Sequence, residues 1–272
     1  MPRDTGSVGA GGLVLVLVSA AMVFLAAPAP AAGPAAAPEK AQPAPAADAP
    51  RAQDVAALLD KMDAAGKDFR TVRARFDYEL NQTLYEDVTK RKGELLYQAP
   101  NLIRFEFTTR PQETFVFDGR AMYHKKDATK QLVIWELRLP SEPPVDSLEL
   151  GKTPFPLPFG QRKEAVLKFF TVGRDAREEA ADPGKRSVLA LVPKKDTQLA
   201  KDYAKILLWV DPKTLVPTRA RLYDTSENVT TVDFHDIETN KTIDPKSFLR
   251  PDVPQDWEIV MHAKEAGTGN GE

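Results

Sequence analysis

The stretch that most constrains the fold of this chain is residues 93–120, GELLYQAPNLIRFEFTTRPQETFVFDGR. Apolar and polar side chains alternate along it, and turn residues cut it into short lengths. Ile103, Phe105 and Phe107 fall on one face, and Leu102, Arg104 and Glu106 on the other. A period of two carried by β-branched and aromatic residues is the pattern of a half-buried antiparallel strand. Ala99-Pro100-Asn101 breaks the chain before it and Arg110-Pro111-Gln112 after it. Phe115 and Phe117 then repeat the apolar face up to Asp118-Gly119, a hairpin signal. Consecutive strands therefore turn Ile103, Phe105, Phe107, Phe115 and Phe117 in one direction. Such a face must be covered, by a packed layer or by an apolar ligand.

The same alternation places further strands at about 71–85, 88–97, 101–109, 113–118, 121–126 and 131–138, and then at 168–174, 186–193, 204–211, 217–224 and 228–237. Short connections make neighbours antiparallel. Ile206 to Val210 (ILLWV) is apolar on both faces and belongs in the middle of the sheet. About eleven strands tend to curl, which predicts a concave side. Ahead of them, Val55, Leu58, Leu59 and Met62 form one stripe of a helix over Gln53–Ala65, stopped by Gly66. Prolines between Leu139 and Lys168 exclude a central strand there. Helical turns are expected at Val145–Leu150 and from Gln161 to Phe170. Phe155, Leu157 and Phe159 sit between them on a proline-stiffened backbone, expected to lie as a cover over the apolar face. Ile243 to Trp257 is expected to strap the sheet edge.

The chain opens with the pattern of a secretory signal peptide: Arg3, an apolar run from Leu13 to Ala27 interrupted by Ser19, then small-residue sites near Ala27-Pro28-Ala29 and Pro30-Ala31-Ala32. The run is short of the roughly 20 residues a membrane span needs. We expect a signal peptide at 1–32, an Ala/Pro-rich linker at 33–52, one domain at 53–262 and a flexible tail at 263–272. Export to the periplasm follows. The absence of cysteine excludes disulfides, thiolate metal sites and a lipidated N-terminal cysteine. A formal net charge of −2 provides no basic field for nucleic acid.

Catalytic signals are sparse. The chain has 3 histidines, His124, His235 and His262. His235 with Asp233 and Asp236 is the best constellation, and Asp233 and His235 share a strand face where they could pair. No nucleophile or third ligand is suggested nearby, and no G-x-S-x-G, phosphate-binding loop or H-E-x-x-H occurs. Glu178-Glu179, with Arg174 and Arg177, reads as a solvated turn. No catalytic residue, metal or cofactor is expected.

Four motifs in order carry a resemblance. Residues 93–107 (GELLYQAPNLIRFEF) and 117–123 (FDGRAMY) resemble the periplasmic outer-membrane lipoprotein carrier (LolA-like) family. Lys152-Thr-Pro-Phe155 resembles its lid segment. Trp209-Val-Asp-Pro, Leu215-Val-Pro217 and Ile243-Asp-Pro-Lys-Ser-Phe248 resemble its C-terminal half. The resemblance covers about residues 53–260. It implies an incomplete, strongly curved antiparallel β-barrel covered by short helices and a lid, with a cavity that takes the acyl chains of lipoproteins in transit. It also implies a non-enzymatic carrier that moves lipoproteins from inner to outer membrane, or that takes another lipid ligand. An inner-membrane release complex and an outer-membrane acceptor would be its partners, with no nucleic acid and the chain as a monomer. A lipid-sensing module that regulates an envelope stress response is the alternative. Ile103, Phe105 and Phe107 match the family's cavity lining. The full expected lining is Leu96, Ile103, Phe105, Phe107, Phe115, Phe117, Tyr123, Val133, Trp135, Phe155, Leu157, Phe159 and Trp209. Where the family carries an Arg before Pro-Asn this chain has Ala99, so the family's gating of release does not carry over. Alternation points Arg104 away from the Ile103 and Phe105 face, so it cannot take that place.

Overall fold

The computed structural model describes residues 49–139, 141–144 and 162–263. The stripe of Val55, Leu58, Leu59 and Met62 lies on helix α1, Ala49–Lys67, which begins ahead of the expected Gln53. A meander follows: β1 (Thr71–Gln82), β2 (Asp87–Gln98), β3 (Leu102–Phe107), β4 (Glu113–Phe117), β5 (Ala121–Lys126) and β6 (Gln131–Glu136). Then come α2 (Lys163–Phe169), β7 (Phe170–Arg174), α3 (Ala176–Ala181), β8 (Ser187–Pro193) and α4 (Leu199–Asp202). The chain continues through β9 (Tyr203–Val210), β10 (Pro217–Asp224), β11 (Val229–Thr239) and β12 (Glu258–His262).

The twelve strands of the described residues belong to one sheet, in the order β12-β6-β5-β4-β3-β2-β1-β11-β10-β9-β8-β7. The expectation of a strongly curved, incomplete antiparallel β-barrel is not met. The sheet is open and not strongly curved. Its edges are β12 and β7, which do not pair with each other, and β12 runs parallel to β6. Strand number alone does not force curling, because a large sheet can also stay open and flatten.

Two meanders, β1–β6 and β7–β11, join where β1 pairs with β11. One face, called inner here, carries two apolar clusters. Val55 and Leu59 of α1 cover Leu189, Leu191, Ile206, Leu208, Val210, Ala220 and Leu222 on the β8–β10 half. The second cluster spans β11 to β5 and holds Val72, Phe76, Leu95, Tyr97, Ile103, Phe105, Phe107, Phe117 and Met122. Ala220 pairs with Val232 of this second cluster, which puts both clusters on the same face. The outer face has a small cluster of Ala121, Leu132 and Ile134 under Val253, and another of Val188, Leu207 and Trp209.

The C-terminal segment, expected to strap the sheet edge, instead crosses the outer face of interior strands. Its short 3-10 turn, Pro245–Phe248, packs on β3 with Phe248 buried, and Ser247 O accepts from Arg104 Nη1 at 3.5 Å. The chain then enters the edge as β12, a strand that the sequence reading did not include. α3, where a solvated turn was expected, is capped by Asp175, whose side chain accepts from Glu178 N. Glu178 and Glu179 sit in its first turn, where carboxylates suit the helix dipole. The expected turns at Val145–Leu150 lie outside the described residues.

Candidate functional site

On the inner face the register stacks side chains into rows across the strands. One row runs Val72, Tyr97, Ile103, Phe117, Met122, Trp135 from β1 to β6. The next runs Ala74, Leu95, Phe105, Phe115, His124, Val133. A third starts Phe76, Gly93, Phe107 and then turns polar at Glu113 and Lys126. The face is therefore apolar over two rows and ends in charge along the third.

Gly93 shapes the apolar part. A Cβ there would lie 2.1 Å from Phe76 Cζ and 2.2 Å from Glu106 O, so only glycine lets the Phe76 ring cross β2. Phe76 makes an edge contact with Phe107, centroids 5.5 Å apart. Phe69, Tyr78, Phe115, Trp135, Leu137 and Ile237 are partly buried around the packed centre.

The polar end is a chain of three groups on β2, β4 and β5. Arg91 Nη1 donates to Glu113 Oε1 at 2.8 Å, and His124 Nε2 lies 2.7 Å from Glu113 Oε2. Arg91 Nη2 also donates to Pro111 O. Their side chains are only 12%, 16% and 6% exposed for Arg91, Glu113 and His124. The Arg91 guanidinium carbon stands 3.5 Å over the Phe107 ring centre, and the His124 ring stacks on Phe115 at 3.8 Å. Burial depresses the His124 pKa more than its bond to Glu113 raises it, so the imidazole is neutral near pH 7 and donates from Nε2. Burial pushes Glu113 upward, but His124 and Arg91 together outweigh it and hold the carboxylate below its ordinary range.

The structure brings Ile103, Phe105, Phe107, Phe115, Phe117, Val133 and Trp135 together on the inner face. It puts three expected lining residues on the outer face. Leu96 pairs with Arg73 and Arg104, and its neighbour Leu95 points inward instead. Tyr123 packs toward Leu132 and Ile134 and donates to Asp118 Oδ2 at 2.9 Å. Trp209 is buried with Val188 and Leu207, with Arg221 and Arg219 over its ring. Phe155, Leu157 and Phe159 lie outside the described residues. Arg104 points outward as expected, where it pairs with Glu106 at 2.6 Å.

Asp233 and His235 do not pair. Asp233 is bound by Arg219, and Asp236 by Arg75 at 3.2 Å. Among the described residues no group of three or more His, Asp or Glu is placed to hold a metal ion. The sequence reading missed the Arg91–Glu113–His124 chain. His124 and Glu113 are 11 residues apart and meet only diagonally across the β4–β5 pair, so neither spacing nor composition marks them.

Compared with known proteins, residues 67–250 match the family described as outer membrane lipoprotein carrier protein LolA. No curated protein matches the chain. An uncharacterized conserved protein from Thermus thermophilus is similar in structure at 13% identity, TM-score 0.44, covering 76% of this chain and 99% of that one. A LolA superfamily protein from Nitrosomonas europaea gives 13%, TM-score 0.36, and 72% and 97% coverage. LprF from Mycobacterium bovis gives 15%, TM-score 0.37, and 71% and 96%.

Proposed function

From the premise that the chain belongs to the outer membrane lipoprotein carrier protein LolA family, we propose that it is a carrier whose inner sheet face holds the acyl chains of lipoproteins or similar lipidated ligands. The family is one of periplasmic carriers rather than catalysts. On this reading residues 1–32 are removed on export. The protein then takes cargo from an inner-membrane release complex to an outer-membrane acceptor.

The observation that carries the reading is the pair of apolar rows across β1–β6. Buried Phe76, Leu95, Phe105 and Phe107 make the floor, and the partly buried Phe115, Trp135 and Leu137 are the surfaces a hydrocarbon tail meets. Burying a methylene contributes about 0.8 kcal/mol, so one long chain gains roughly 10 kcal/mol in gross terms. A carrier needs that affinity with few specific polar anchors, so that it can release downstream.

Native mass spectrometry of the purified protein with a diacylated peptide tests this. The expected result is a 1:1 adduct that disappears in Phe115→Glu while the circular dichroism spectrum is kept. No adduct with the unmodified protein would overturn the reading.

A further inference from the structure

The polar end of the inner face has a use that the apolar rows alone do not require. Arg91 and Lys126 bring two cations there, Glu113 brings one anion, and His124 is held neutral by burial. Both Glu113 oxygens are occupied, one by Arg91 and one by His124. Arg91 Nε is buried with no hydrogen-bond partner, and no ion pair forms on Lys126 among the described residues. The other carboxylate near this row, Glu258, accepts from Gln131 one strand further out and is exposed. Among the described residues this end of the face therefore carries one unpaired positive charge, next to Phe107 and Phe115, and one buried donor with no partner.

The geometry points to an anion-accepting end, built from Arg91 and Lys126, that selects acyl ligands with a carboxylate or phosphate head over uncharged ones. This deepens the carrier reading, and it rests on the inner face binding acyl chains at all. A head group with negative charge compensates the surplus cation. A neutral glyceryl ester leaves Lys126 uncompensated. Because the tail lies on the apolar rows and the head at their charged margin, one ligand satisfies both features.

The test uses the full chain and three ligands of equal tail length: oleate, oleoyl lysophosphatidate and monoolein. Each displaces a fluorescent acyl probe at pH 7.5, below its micelle concentration. The expected result is that at least one anionic ligand binds about tenfold more tightly than monoolein. Whichever anion leads identifies the head group as carboxylate or phosphate. Lys126→Gln, a change at a half-buried side chain outside the packed centre, is expected to shrink that gap to about twofold. Equal affinities for all three, or a gap untouched by Lys126→Gln, would overturn the inference while leaving the acyl-binding face standing. Failure of all three ligands to displace the probe would instead remove the carrier reading and this inference with it.

Discussion

Phe76 on β1 stacks on Phe105 on β3 across the strand between them, ring centroids 4.0 Å apart and planes at 26°. The contact exists because β2 presents Gly93 at the crossing point. Gly93→Ala would drive a methyl into the Phe76 ring and into the Glu106 carbonyl oxygen, and the latter is backbone that cannot rotate away. The expected cost is about 3 kcal/mol, at the upper end for overpacking a core. Urea unfolding checks it. An unchanged midpoint would mean that β2 and β3 separate freely at this point.

Trp135 is the tryptophan on the inner face, whereas Trp209 is sealed on the outer face and Trp257 lies under Lys125. Adding an acyl ligand should therefore blue-shift the emission of the protein through Trp135 alone. Trp135→Phe should abolish the shift, and Trp209→Phe should keep it. A shift that persists without Trp135 would place the ligand elsewhere.

Acid should weaken the fold in two stages. The pKa of His124 in the folded protein is below the 6.5 of the unfolded chain, so the unfolded state takes up the proton first as pH falls through that value. Stability is then full above about 6.5 and declines below it. Glu113 is likewise depressed below 4.5, and its contribution is lost in a second, more acidic stage. Thermal melts between pH 7.5 and 4 should show Tm falling throughout. His124→Gln can keep a hydrogen bond to Glu113 without titrating, so it should flatten the first stage and leave the second. A Tm insensitive to pH in the unmodified protein would refute this.

Removal of residues 258–272 deletes β12 and leaves β6 as an edge. Unpaired backbone on such an edge is a template for another chain. The truncated protein is expected to self-associate in sedimentation velocity at concentrations where the full chain does not. A monomeric truncation would show that the outer-face strap is protection enough.

Eleven strands and the stripe of α1 were legible because alternation and helical spacing survive wherever one face is buried. β12 was not, because EIVMH is short and mostly exposed, so burial leaves no clear mark on it. α3 was hidden because AREEAA has no apolar stripe, and its capping Asp175 is its main local signal. Adjacent leucines at 95 and 96 leave the inward residue undecided until the pairing of Phe76 with Gly93 fixes the phase. In ILLWV both faces are apolar, so nothing in the pattern says that Trp209 faces outward. Strand number also says little about closure, which depends on tilt and stagger rather than composition.

The β1–β11 pairing matches Val72 with Thr239 and Asn81 with Val229, whereas every pairing inside the two meanders is between successive strands. A chain that emerges N-terminus first can zip strands one to six into local hairpins as they appear. The seam at mid-sheet must wait for the eleventh strand, long after its partner is formed. Until then the earliest strand has a bare flank, so the hazard of pairing with the wrong molecule is concentrated at what becomes the most sheltered line of the finished protein.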